Sequence, residues 1–131
     1  MLKSFMGVFL QGSDNTRQSV DTSKLDLEDV VQLASRIGQE YARAKQIADR
    51  LELLKPTIRA KIGLRHDSDE ITEAKLKRLT ENDPEYVEFL EELATAKGSS
   101  EKLRIRYESY KNLFEAKRSM LSYKKAEMNI L

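Results

Sequence analysis

Lys117, Arg118, Tyr123, Lys124 and Lys125 set four cations and one aromatic ring within nine residues near the C-terminal end of the chain. Cations that meet phosphates and a ring on which a base stacks are the minimum needed to hold a single nucleic-acid strand. None of these four basic residues is followed by a carboxylate four positions on, whereas Lys97, Arg104 and Lys111 are followed at that spacing by Glu101, Glu108 and Glu115. On a helix such pairs occupy charge locally, though only weakly. The end of the chain is therefore expected to be a nucleic-acid-binding surface, with a merely solvated tail as the alternative. Arg36, Arg43 and Arg50, one heptad apart, extend that surface if they lie on the outer face of a neighbouring helix.

Other chemistry is poorly served. The chain has one histidine and no cysteine, and it lacks a glycine-rich phosphate loop and paired carboxylates held against a base on a strand. His66-Asp67-Ser68-Asp69-Glu70 is the only run with metal-ligand residue types. Without a turn glycine or a closing glutamate at EF-hand spacing, it reads as a connecting loop. A non-enzyme without cofactor or metal is expected. With no disulfide, no apolar run of about 20 residues and no secretory signal, the expected setting is cytoplasmic.

The elements that must carry these side chains are helical. From Tyr86 a heptad gives Tyr86, Leu93, Ser100, Tyr107, Phe114, Leu121 and Met128 in one column and Phe89, Ala96, Leu103, Tyr110, Lys117 and Lys124 in the next core column. This is the pattern of a helix seam. Tyr86, Phe89, Leu93, Leu103, Tyr107, Tyr110, Phe114 and Leu121 are its expected oligomer contacts. Gly98-Ser99-Ser100 either turns the chain or lies within one long helix; the stripe keeps phase across it, which favours one helix. Asp83, Pro84 and Glu85 form its start signal.

Upstream, Asp26, Glu28 and Asp29 suit a helix N-terminus, and Val30, Ala34, Ile37, Tyr41, Ala44, Ala48 and Leu51 repeat at 4-3 spacing. Pro56 predicts a kink, and Gly63, Arg65 and His66 the end. Asp67 or Thr72 should cap a short helix, Thr72 to Thr80, that turns Leu76 and Leu79 inward. Residues 1–25 read as a flexible arm whose Phe5 to Leu10 segment either docks on a neighbour or stays unstructured.

Charge is blocked along the chain. Residues 36–65 hold eight lysines and arginines against three acids, residues 67–92 three against ten, and residues 97–125 nine against three. Such segregation suits an anionic partner, or an assembly in which the acidic block of one subunit meets the basic block of another.

The expected fold is all-α: two long antiparallel amphipathic helices joined by a short one, coiled-coil-like. Because the stripes are wider than one neighbour covers, residues 26–131 should complete their core by homo-oligomerisation.

The sequence Arg59-Ala60-Lys61-Ile62-Gly63, the loop, Lys75-Leu76-Lys77-Arg78-Leu79, the restart at Asp83-Pro84-Glu85-Tyr86, and Arg106-Tyr107-Glu108-Ser109-Tyr110 followed by Leu113-Phe114 and Arg118 together resemble the UvsY family of phage recombination mediators over residues 26–121. The resemblance implies a small, all-helical homo-oligomer that binds single-stranded DNA and helps load a recombinase, with that recombinase or a single-strand-binding protein as a further partner. The reading from another class is a coiled-coil structural or adaptor protein that binds only proteins.

Overall fold

The computed structural model describes residues 24–130, so the Phe5 to Leu10 segment and nearly all of the expected arm lie outside the described residues. Among the described residues three α-helices follow one another: α1, Leu27–His66; α2, Glu73–Glu81; and α3, Pro84–Ile130. No strand occurs among the described residues. At 1.5 Å per residue, α1 is about 60 Å long and α3 about 70 Å.

Each start is chemically specified. The Asp26 carboxylate accepts the Asp29 N–H at 2.8 Å and the Asp29 carboxylate accepts the Asp26 N–H at 3.3 Å, a reciprocal capping box. Thr72 Oγ1 caps α2 by accepting the Lys75 N–H at 3.2 Å, while Asp67 instead closes α1, its N–H donating to the Gly63 carbonyl. Pro84 opens α3, where its missing N–H costs nothing, and Asp83 Oδ1 accepts the Glu85 N–H at 2.9 Å. Pro56 sits on the exposed side of α1, which continues through it as one element. Gly98, Ser99 and Ser100 lie within α3, so the long helix is continuous. The in-phase packing on both sides outweighs the cost of one glycine, about 1 kcal/mol.

The two long helices form an antiparallel hairpin. Their contacts run in opposite order: His66 with Asp83, Glu52 with Lys97, Tyr41 with Tyr107, and Leu25 with Lys117. The core is a single seam in which Val30, Ile37, Ala44, Ala48, Leu51 and Ile62 of α1 meet Tyr86, Phe89, Leu93, Ala96 and Leu103 of α3. Ala48, Leu51, Phe89, Leu93 and Ala96 make its densest part, with Ile47, Ile58 and Leu90 at the margin. Small residues on one side admit large ones on the other, as close packing requires.

One expectation is corrected by this packing. Leu79 is 39% exposed, and Thr80 is the buried residue of α2 at 4%. A nine-residue helix shows one narrow row to its neighbour, here Leu76 and Thr80 four positions apart, and Thr80 packs against Gly63. Thr80 satisfies its hydroxyl by donating to the Leu76 carbonyl at 2.8 Å. The seam of α3 is covered within the chain along its first half, as the antiparallel pairing of two long helices requires. Tyr86, Phe89, Leu93 and Leu103 are buried against α1, because the hairpin brings the two stripes together before any second copy is needed. Tyr107, Tyr110 and Phe114 are half-buried, and Leu121 is 46% exposed. The seam is least covered from Tyr107 onward.

Candidate nucleic-acid interface

The level at which α1 stops covering α3 is set by Lys117, whose Nζ donates to the Leu25 carbonyl at 2.6 Å. From Arg118 onward α3 continues for 13 residues, about 20 Å of helix. Every residue from 118 to 129 is exposed. Tyr123 is 67% exposed, and Met120 and Met128 are 59% and 75% exposed.

The basic row along α3 divides at the same level. Lys97 pairs with Glu52 across the hairpin at 2.8 Å rather than with Glu101, a choice made by the register between helices. Its ammonium holds the Glu52 carboxyl below its ordinary value, chiefly through the direct hydrogen bond. Arg104 is held between Glu101 and Glu108, with 2.9 Å from Nη1 to Glu108 Oε1. Those two carboxylates push the guanidinium pKa further up. Lys111 lies over the Tyr107 ring, 5.4 Å from its centroid, a cation–π contact. Lys117 belongs with this engaged set, because a backbone carbonyl supplies what a carboxylate at 121 would have supplied. Arg118, Lys124 and Lys125 make no ion pair with any described residue.

The other named residues fall elsewhere. Arg36, Arg43 and Arg50 are exposed on α1, and Arg50 has its own interaction. The register fixed by Gly38 beside Tyr107 and Glu52 beside Lys97 puts them level with the middle of α3. Arg36 lies about 8–14 Å along the axis from Arg118, and Arg43 and Arg50 lie farther from it. Tyr107 stacks with Tyr41, ring centroids 6.3 Å apart, and its ring is committed to the hairpin. Gly38 makes that possible: a Cβ there would stand 2.9 Å from Tyr107 Cε2. A glycine within a helical repeat reads as a weak spot in sequence, and only the facing ring reveals its use.

His66 contributes to architecture. Its Nε2 lies 2.7 Å from Asp83 Oδ2, tying the end of α1 to the start of α3. The Asp83 carboxyl is held below its ordinary range, first by that hydrogen bond, then by the Glu85 N–H and by Arg65 nearby. Among the described residues no three His, Cys, Asp or Glu side chains gather as a metal site, and no helix is long and apolar enough to cross a membrane. A groove of about 510 Å³ between the helices is lined by Lys55, Pro56, Arg59, Leu76, Lys77 and Tyr86, among others.

What the end of α3 offers chemically is three cations over two helical turns with no ion-pair partner among the described residues, one exposed aromatic ring and three exposed apolar side chains. No family model, no curated protein and no solved structure matches the chain.

Proposed function

We propose that the protein is a non-catalytic single-stranded DNA-binding, recombination-accessory protein that acts as a homo-oligomer. The observation that carries the reading is the contrast along α3: Lys97, Arg104, Lys111 and Lys117 are engaged, Lys102 and Arg106 stand singly among them, and Arg118, Lys124 and Lys125 cluster beside exposed Tyr123. A cation without a local partner gives up less when it engages a phosphate, and a solvated ring can stack on a base. The recombination role rests on the resemblance to the UvsY family and on nothing else. Binding of labelled oligonucleotides as a function of salt tests the reading, because phosphate contacts release counterions and affinity must fall as salt rises.

The second reading, an adaptor that binds only protein, draws on Met120, Leu121 and Met128, which expose apolar surface on the same stretch. It expects no oligonucleotide affinity at any salt.

A further inference from the structure

The hairpin has two unlike ends. At one, α3 presents Arg118, Lys124 and Lys125 with exposed Met120, Leu121 and Met128. At the other, the α1–α2 turn presents Asp67, Asp69 and Glu70, all exposed, beside Leu64, which is 74% exposed. Glu81, Asp83 and Glu85 at that end are taken by Arg59, His66 and Arg65; the three carboxylates of the turn have no ion-pair partner among the described residues. Pro84 and Arg118 are 34 residues apart on one helix, about 50 Å, far beyond the screening length of roughly 8 Å at physiological salt. The two ends of one chain therefore cannot neutralise each other.

We infer that the projecting end of α3 in one copy docks on the acidic turn of a second copy, apolar side chains against Leu64 and cations against Asp67, Asp69 and Glu70. Like ends repel: two basic ends would face each other with three cations apiece, and two acidic turns would do the same with carboxylates. The complementary contact is head to tail, which closes into a ring or extends as a filament. It deepens the homo-oligomer in the proposed function, and it does not depend on strand binding.

Light scattering on charge-reversed chains tests the contact. Wild-type protein should exceed the mass of one chain at low salt and lose mass as salt rises. Asp69→Lys with Glu70→Lys, and separately Arg118→Glu with Lys124→Glu and Lys125→Glu, should each run at the mass of a single chain. An equimolar mixture of the two should regain assembly, since each supplies the end that the other lacks. Far-UV circular dichroism establishes that both are folded; if a reversal unfolds, the corresponding Asn and Gln changes must still reduce the mass. A monomeric wild type, unchanged mass in both reversals, or a mixture that stays monomeric would overturn the contact. Absence of oligonucleotide binding would count against the proposed function, whereas the mixing result decides the docking.

Discussion

Gly38 of α1 lies against the ring of Tyr107 on α3, so close that a methyl group at position 38 would stand 2.9 Å from Cε2 and 3.2 Å from Cδ2. The ring cannot retreat freely because it stacks on Tyr41. Gly38→Ala sets a helix-propensity gain of about 1 kcal/mol against an overpacking cost of about 1–3 kcal/mol. The expected outcome is net destabilisation. Gly98, within the same hairpin, has nothing within 4 Å of a built Cβ, so Gly98→Ala should stabilise by up to about 1 kcal/mol. Urea unfolding of both variants checks the pair, and equal signs would contradict the close approach at Gly38.

The seam should carry the fold where it is buried and not where it is bare. Phe89 is 2% exposed among Ala48, Leu51, Leu93 and Ala96, and Phe89→Ala should cost about 3–5 kcal/mol. Leu121→Ala should leave the unfolding of the isolated hairpin nearly unchanged, because its side chain is 46% exposed. Thermal melts at low protein concentration separate the two.

Acid should loosen the turn between α1 and α3. The Asp83 carboxyl is held below its ordinary value, first by His66, then by the Glu85 N–H and by Arg65. A group with a depressed folded pKa contributes stability above its unfolded value, about 3.9 for aspartate, and loses it as pH falls through the folded value. Asp83→Asn can still accept the Glu85 N–H, but it loses the charge. Its stability at neutral pH should drop, and its decline below about pH 4 should be shallower than that of wild type. Denaturant midpoints measured from pH 2 to 7 give the comparison, and parallel acid limbs would sink the assignment.

Much of this architecture is legible in sequence because heptad spacing reports it directly. Tyr86, Phe89, Leu93 and Leu103 are in phase with one another, and α3 buries them as a unit. Capping at Asp26 and Thr72 is equally local, since each side chain bonds a backbone N–H three residues on. What sequence conceals depends on register between helices. Lys97 chooses Glu52 over Glu101 only once α1 lies alongside, and Lys117 gains the Leu25 carbonyl from 92 residues away. Periodicity shows that the seam at 86–103 needs a partner stripe, and the alanines of α1 at 4-3 spacing point to that helix, but not to which residues come level. In α2, nine residues are too few for the period to separate Leu79 from Thr80 as the buried position.

Lys117 and Arg118 are adjacent in sequence and should behave differently. Lys117→Gln removes the bond to Leu25 and should fray the start of α1, read as faster amide exchange over its first turns, with little effect on strand affinity. Arg104→Gln should also change affinity little, its guanidinium being already held by two carboxylates. Tyr123→Ala should weaken strand binding by about 1–3 kcal/mol if the ring stacks on a base. Affinity losses of equal size at positions 104 and 118 would mean that the whole flank of α3 binds.

The most direct test is fluorescence anisotropy of a labelled thymidine oligonucleotide across a salt series, comparing wild type with the Arg118→Gln, Lys124→Gln, Lys125→Gln triple variant. Wild type should bind with affinity that falls steeply as salt rises. The triple variant should bind much more weakly, with a salt slope flatter by about 0.7 for each lost single-strand phosphate contact. Wild-type protein that fails to bind even at low salt, or a triple variant with unchanged affinity and slope, would contradict strand binding at the end of α3.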